Sequence, residues 1–192
     1  EEAQARCRGI LPSQKEKSVA LIEALGRHLY RDLYAKHPSP RWTNSAMDGY
    51  AFEFSKNISN NQRLKIVDQI PAGTTPLKKI KAGECARIMT GAPLPKGTDT
   101  VIIQENVTLI ENDYIQFLSL PKAGQNVRLA GEELTQGSLI AAQYKKVNPG
   151  LLGVCASQNM THLPIFEPPK IGIIATGDEL KSQGNNLSLG QI

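Results

Sequence analysis

The spacing of apolar residues divides the chain into a helical beginning, a β-rich middle and a mixed end. Residues 1–10 have a helical pattern, and leucines at every fourth position from Leu21 to Leu33 predict a packing helix over residues 23–33. Between residues 44 and 127, short β-type runs recur about every ten residues and turn clusters separate them. The predicted strands are residues 64–67, 86–89, 100–103 and 114–118. Such a pattern is typical of a small β-barrel or sandwich.

The last part of the chain mixes helix, linker and strand signals. Asn148 followed by Pro149 predicts a helix start, because asparagine caps helices and proline suits the first helical position. Three prolines within residues 164–169 predict a linker. Residues 170–175 form an apolar run that does not alternate, which predicts a buried strand of a parallel sheet. Since a lone parallel strand cannot bury both of its faces, we expect it to belong to a larger α/β domain and the chain to be a fragment.

Composition and charge argue against several classes of function. The net charge is +4 with basic and acidic residues interspersed, and aromatics are few, so we expect no nucleic-acid partner. No apolar run approaches the roughly 20 residues that span a bilayer, and no secretory signal is visible, so we expect a cytoplasmic protein without membrane contact. Cys7, Cys85 and Cys155 lie far apart, which predicts buried, reduced thiols rather than a zinc site.

Four motifs carry candidate chemistry, and two of them lie in the first half of the chain. The first places Asp48 on a tight turn among small residues, Thr43-Asn44-Ser45-Ala46-Met47-Asp48-Gly49-Tyr50-Ala51. Asp-Gly is also a common hairpin dipeptide, so Asp48 either meets a ligand or only shapes a turn. In the second, Arg87-Ile88-Met89-Thr90-Gly91-Ala92-Pro93, a strand ends in the hydroxyl of Thr90, which either meets a ligand or satisfies a turn amide.

The other two motifs place carboxylates beside glycines. Arg128-Leu129-Ala130-Gly131-Glu132-Glu133 combines an arginine with two acids, a combination that also occurs in solvated charged turns. Thr176-Gly177-Asp178-Glu179-Leu180 follows the predicted parallel strand, and the carboxyl ends of such strands bind ligands in open α/β sheets. Asp178 and Glu179 offer the hard oxygen ligands that Mg²⁺ prefers, although a solvated acidic turn fits them equally well.

In this order and at these separations, the four motifs resemble the molybdopterin molybdenumtransferases, the MoeA-like family that includes the C-terminal domain of gephyrin. The resemblance spans nearly the whole chain. It implies a mixed α+β, multidomain fold with an elongated, discontinuous first domain of α/β type in residues 1–43 and 128–168. It further implies an inserted β-rich, barrel-like second domain in residues 44–127, and the first strand of a truncated α/β, molybdopterin-binding third domain in residues 169–192.

The resemblance also implies an activity, namely insertion of molybdenum from molybdate into adenylylated molybdopterin, with release of AMP and a requirement for Mg²⁺. The residues at the matching catalytic positions are Asp48, Thr90, Glu133 and Glu179, of which Asp48 and Glu179 are the implied Mg²⁺ ligands. The implied cofactor contacts are Ser45, Arg128, Gly177 and Asp178. The chain departs from the family pattern at Glu133, where Asp is usual, and at Trp42-Thr43, which replaces Phe-Asp and is expected to alter packing more than activity.

The implied partners are other proteins. The family forms homodimers whose active site is shared between subunits, and a molybdopterin adenylyltransferase supplies the substrate. Because the family's further pterin-binding segments would lie beyond Ile192, we expect this chain to be inactive alone. The alternative is a non-catalytic dimeric scaffold of the gephyrin type that binds partner peptides.

Overall fold

The computed structural model describes residues 2–9, 13–59, 61–110 and 113–192. The helices in these ranges are α1 (Glu2–Gly9), α2 (Pro149–Ser157) and the 3-10 segments Leu21–Ala24 and Gln104–Asn106. The strands are β1 (Glu16–Ala20), β2 (Leu33–Tyr34), β3 (Asn44–Ser45), β4 (Gly49–Phe52), β5 (Arg63–Ile70), β6 (Glu84–Ile88), β7 (Thr100–Ile103), β8 (Val107–Ile110), β9 (Tyr114–Phe117), β10 (Val127–Arg128), β11 (Leu139–Ala141) and β12 (His162–Phe166). The fold is therefore mixed α/β and rich in strands.

Six strands from the middle of the chain form one sheet in the order β7-β4-β6-β5-β9-β8. Neighbouring strands are antiparallel except β5 and β6, which run parallel. The four strands predicted from the sequence overlap β5, β6, β7 and β9 and are confirmed. Within the described residues, the strand pairing ends at β7 on one side and at β8 on the other, so closure into a barrel stays a prediction.

Alternate side chains of this sheet form two apolar cores on its opposite faces. Tyr50 and Phe52 of β4 belong to one core, whereas Ala51 between them belongs to the other. In β6, Cys85 lies in the first core and Ala86 in the second. A strand that is buried on both faces has a fixed register, because a slip by one residue would exchange the faces. The ends of β4 and β6 are thereby fixed relative to each other.

A third core joins parts of the chain that are far apart in sequence. Strand β1 pairs antiparallel with β12, and β2 pairs with β11. Helix α2 packs on this core and begins as predicted, because the Asn148 side-chain oxygen accepts a hydrogen bond from the Leu151 amide at 2.8 Å. The core residues are Val19, Ala24, Leu29, Leu33, Ala141, Val147, Leu151, Cys155, Met160, Leu163 and Ile165.

The helix predicted over residues 23–33 does not form, and that prediction is wrong. Only Leu21–Ala24 is helical, and Gly26 then adopts φ of +77°, which a right-handed helix excludes. Leu29 and Leu33 are buried from extended backbone. A spacing of four residues returns to the same face in a strand as well as in a helix, so the leucine pattern fits both.

The linker and the last strand also differ from the prediction. Pro164, which was assigned to the linker, lies inside β12, where its carbonyl oxygen accepts a hydrogen bond from the Tyr30 amide at 2.9 Å. Residues 170–175 pair with no strand in the described part of the chain, so the predicted parallel strand is wrong, and Ile173 is 92% exposed. A strand of this type forms only between neighbours that satisfy its backbone and cover its faces.

The three thiols divide into one exposed and two buried. Cys7 is exposed because α1 buries none of its residues, so the prediction of a buried thiol is wrong there. Cys85 and Cys155 are buried as predicted, and burial raises the pKa of Cys85 to about 12. The two ends of the helix predicted over residues 1–10 lie outside the described residues. None of the helices in the described ranges has the length and apolar character needed to cross a bilayer.

Candidate active site

The bend that carries Asp48 connects strands of two different sheets. Strand β3 before it pairs with β10, whereas β4 after it pairs with β6 and β7, so Asp48 does not close a hairpin. The Ser45 side chain is buried, and its hydroxyl donates to the Met47 carbonyl oxygen at 2.6 Å. Ser45 therefore shapes the bend, and its contact with a cofactor stays a prediction. Asp48 itself is exposed.

The residue after Asp48 has no room for a side chain. A Cβ at Gly49 would overlap the Ile102 carbonyl oxygen of β7 and would lie 2.9 Å from the carbonyl carbon. On the other side of β4, Gly49 stands opposite Ile88 of β6. Because β4 is held between two strands at close approach, the Asp-Gly pair anchors Asp48 at a fixed point of the sheet.

Thr90 holds the Asp48 carboxylate in place. The Thr90 backbone amide and hydroxyl both donate to Asp48 Oδ1, each at 2.7 Å. These two bonds, with a smaller contribution from the Arg87 charge and against the effect of burial, hold the pKa of Asp48 below its ordinary value. Asp48 is thus ionised and oriented at neutral pH. The structure brings together two predicted site residues that lie 42 positions apart.

Behind this pair lies an arginine to which sequence analysis gave no role. Arg87 Nη1 donates to the Tyr50 hydroxyl at 2.9 Å, and Nη2 donates to Gln104 Oε1 at 2.6 Å. The guanidinium carbon also lies 5.2 Å from the centre of the Tyr50 ring, as in a cation–π contact. The Gln104 backbone amide in turn donates to the Asp48 carbonyl oxygen at 3.2 Å. The position of Arg87 beside Tyr50 depends on the register between β4 and β6, which cannot be read from the sequence.

The third motif forms a charged turn beside the same bend. Arg128 stands opposite Asn44 in the pairing of β10 with β3, one residue before Ser45. Arg128 Nε lies 3.2 Å from Glu132 Oε1, and Arg128 Nη2 contacts Glu133 Oε1. The other Glu133 oxygen accepts a hydrogen bond from the Ser39 hydroxyl at 3.0 Å. The roles of Arg128 and Glu133 toward substrate stay predictions.

Trp42 and Thr43 connect the second and third motifs. The Trp42 indole nitrogen donates to the Gly91 carbonyl oxygen at 3.5 Å, and the side chain is about half exposed next to Thr90. Thr43 Oγ1 accepts a hydrogen bond from the Ala130 amide at 3.2 Å. Both residues therefore link segments beside the bend, and their small effect on activity stays a prediction.

The structure does not bring the fourth motif to Asp48. Gly177, Asp178 and Glu179 are exposed, and among the described residues no hydrogen bond or ion pair joins them to Asp48. Their segment bonds to itself, since the Ile192 amide donates to the Glu179 carbonyl oxygen at 2.7 Å. The Glu179 carboxylate folds back over Gly177, where a Cβ would lie 2.5 Å from both of its oxygens. The predicted roles of these residues remain predictions.

Asp48 offers one carboxylate that is suited to binding Mg²⁺. Mg²⁺ usually takes one or two protein carboxylates and fills its remaining positions with substrate phosphates and water. Asp48 is ionised and exposed, and Thr90 bonds only one of its two oxygens. In the ranges that the structure describes, no three or more His, Cys, Asp or Glu side chains gather into a metal site. Substrate and water would therefore have to fill the remaining positions.

Comparison with known proteins identifies the family. Residues 1–158 match the family described as the MoeA N-terminal region, domains I and II. The chain belongs to the MoeA family. The resemblance drawn from the motifs is thereby confirmed.

Relatives of this MoeA-family chain carry the name molybdopterin molybdenumtransferase. The protein from Haemophilus influenzae is 37% identical over 181 residues, which cover 94% of this chain and 44% of the relative. The protein from Nostoc is 34% identical over 187 residues, which cover 95% of this chain and 43% of the relative. The chain thus spans less than half the length of these relatives.

Solved structures of MoeA proteins share the fold. A crystal structure of a molybdopterin biosynthesis MoeA protein from Pyrococcus horikoshii gives a TM-score of 0.87 at 28% identity, over 100% of this MoeA-family chain and 50% of the other. A second structure from that organism gives a TM-score of 0.83, over 92% of this chain and 47% of the other. The mixed α/β fold with its six-stranded sheet is therefore that of MoeA proteins.

Proposed function

We propose that this chain is part of a molybdopterin molybdenumtransferase, which inserts molybdenum from molybdate into adenylylated molybdopterin and releases AMP in a Mg²⁺-dependent reaction. The observation that carries the proposal is the exposed Asp48 carboxylate, fixed by two hydrogen bonds of 2.7 Å from Thr90. Membership of the MoeA family supports the substrate class, because the relatives carry that enzyme's name. Since the chain spans under half of those relatives, the complete reaction is assigned to the intact protein.

The residues of the site suit a reaction between anions. Cleavage of a phosphoanhydride next to an oxyanion needs groups that neutralise and orient negative charge. Mg²⁺ bound there would supply positive charge to the phosphate oxygens, with Asp48 and Glu179 as its proposed ligands. Thr90 holds the Asp48 carboxylate in one orientation and in its ionised form. Glu133 is proposed to act in the same site, and the proposed cofactor contacts are Ser45, Arg128, Gly177 and Asp178.

We also propose how the intact protein is organised. Division into residues 1–43 with 128–168, residues 44–127 and residues 169–192 is supported by the cores, since one draws on both ends of the chain and two draw on the residues between. A homodimer with a shared active site would supply the groups that this chain does not place beside Asp48. A molybdopterin adenylyltransferase is the proposed substrate donor, and the cytoplasm is the proposed location.

Replacing Asp48 in the intact protein tests the proposed function. Asp48→Asn retains an oxygen that can accept both Thr90 hydrogen bonds but removes the charge, so the bend should keep its geometry. We expect molybdate-dependent AMP release to fall to background while the fold and the oligomeric state stay unchanged. Asp113→Asn is the matched control, because Asp113 is exposed at φ of +70°, a conformation that asparagine also adopts. Near-normal turnover by Asp48→Asn would sink the proposal.

A further inference from the structure

The two arginines near the candidate site differ in what neutralises them. Arg128 has two carboxylate partners, Glu132 and Glu133, in the turn that follows it. Two negative charges on one positive charge leave the turn net negative, which repels an incoming anion. Arg87 is instead held by the Tyr50 hydroxyl and the Gln104 side-chain oxygen, which are both neutral.

Arg87 therefore keeps both its charge and spare donors. Among the residues that the structure describes, no carboxylate lies within the 4.0 Å of an ion pair with Arg87. Glu105 lies one step away, where it accepts a hydrogen bond from the Gln104 side-chain amide at 3.2 Å. A guanidinium has about five N–H donors, and the bonds to Tyr50 and Gln104 use two of them. The remaining donors can bind a ligand.

Hydrogen bonds connect Arg87 with the bend that carries Asp48. Arg87 Nη2 donates to Gln104 Oε1, and the Gln104 backbone amide donates to the Asp48 carbonyl oxygen at 3.2 Å. Arg87 of β6 also stands directly opposite Tyr50 of β4, the strand that follows the bend. The Arg87 charge reaches the carboxylate, since it contributes, after the two Thr90 hydrogen bonds, to the lowered pKa of Asp48. The two tethers and the contact with the Tyr50 ring fix the guanidinium before a ligand arrives. A fixed guanidinium without a carboxylate partner is a group that binds oxyanions.

We infer that Arg87 is an oxyanion-binding residue of the Asp48–Thr90 site, in addition to the cofactor contact proposed for Arg128. The ligand class is a tetrahedral oxyanion, with molybdate as the natural member. This inference rests on the proposed function only in naming molybdate, because oxyanion binding is measurable without pterin or AMP release.

The test is titration of the ¹⁵N-labelled chain with molybdate at constant ionic strength, followed by backbone amide shifts. We expect saturable shifts at Asp48, Thr90 and Gly91, and quenching of the only tryptophan, Trp42, next to Gly91. Arg87→Gln should weaken molybdate binding roughly tenfold or more, because it removes a charge-assisted contact.

Two further variants make the result specific. Arg63→Gln removes the same charge from β5 of the same sheet, where Arg63 is exposed, and should leave the affinity unchanged. Arg87→Lys keeps the charge but loses the planar fork that reaches two acceptors, so its affinity should fall between those of the parent and Arg87→Gln. If Arg87→Gln does not fold, an affinity of Arg87→Lys equal to that of the parent counts against a guanidinium-specific site.

The inference is overturned if Arg87→Gln binds molybdate as tightly as the parent, if the parent shows no saturable shifts, or if the shifts centre on the turn at residues 128–133. Loss of molybdate affinity in Arg87→Gln alongside normal AMP release by Asp48→Asn would reject the proposed function and leave the Arg87 site standing. The reverse pair of results would reject Arg87 alone.

Discussion

Gly49→Ala should destabilise the protein strongly, because the added methyl group has nowhere to go. It would overlap the Ile102 carbonyl oxygen and lie 2.9 Å from the Ile102 carbon and 3.1 Å from the Ile103 Cα, all backbone atoms. Ordinary contact would require β4 to move by about 1 Å from β7, with which it shares four paired residues. Overpacking and weakened strand pairing together should cost about 3 kcal/mol or more in the free energy of unfolding.

Urea unfolding followed by far-UV circular dichroism measures this cost from the midpoint at unchanged slope. Gly153→Ala is the matched control, because Gly153 is exposed in α2 and a Cβ there meets nothing within 4 Å. That variant should gain about 0.5–1 kcal/mol from the higher helix propensity of alanine. Surface substitutions usually change the free energy of unfolding by no more than about ±0.5 kcal/mol. If the free energy of unfolding of Gly49→Ala lies within about 1 kcal/mol of the parent value, the close approach of β4 and β7 is refuted.

Three further predictions concern the site and the thiols. Thr90→Val removes one of two bonds to the Asp48 carboxylate, so the pKa of Asp48 measured by NMR should rise, whereas Thr90→Ser should keep it low. Folding lowers that pKa below 3.8, so the hydrogen bonds to the Asp48 carboxylate stabilise the protein at neutral pH, and this stabilisation is lost as the pH falls through the folded pKa. The loss of unfolding free energy in Thr90→Val should therefore be largest at neutral pH and smaller at acid pH, which unfolding at pH 7 and at acid pH would measure. Glu133→Asp in the intact protein should retain AMP release, since a carboxylate remains near Arg128, and full inactivation would contradict this. A thiol reagent at pH 8 should label Cys7 at once and Cys85 only on unfolding, because burial raises the pKa of Cys85 to about 12, and equal rates would contradict the structure.

Elements that depend on local chemistry were predictable from the sequence. The strands at residues 64–67 and 100–103 stand between turn residues that define them, and Asn148 caps α2 through its own side chain. Strand β1 shows no such signal, because its polar residues become a strand by pairing with β12, far along the chain. Strand β4 was missed because it is buried on both faces and its residues were assigned to the turn that carries Asp48.

The candidate site divides in the same way. Asp48 and Thr90 were found because each lies in a recognisable motif, and the structure adds that the two bond each other. Arg87 lies in the same motif as Thr90, yet its significance depends on facing Tyr50 across two strands that are adjacent only after folding. A contact between Glu179 and Asp48 is not evident from the sequence, and among the described residues no hydrogen bond joins the two.

Asn44 and Arg128 are paired, so the chain enters and leaves the region of the six-stranded sheet at neighbouring points. Once Asn44 and Arg128 are paired, the path between Leu29 and Lys145 no longer includes the sheet. The hydrogen bond from the Leu29 amide to the Lys145 carbonyl oxygen then closes a loop roughly fourfold shorter than the sequence separation of the two residues. At about 0.6 kcal/mol for each doubling of loop length, an early sheet lowers the entropic cost of closing the third core by about 1 kcal/mol. Because the two connections to the sheet region are adjacent, we predict that the sheet can be replaced by that of a related protein without disrupting the third core.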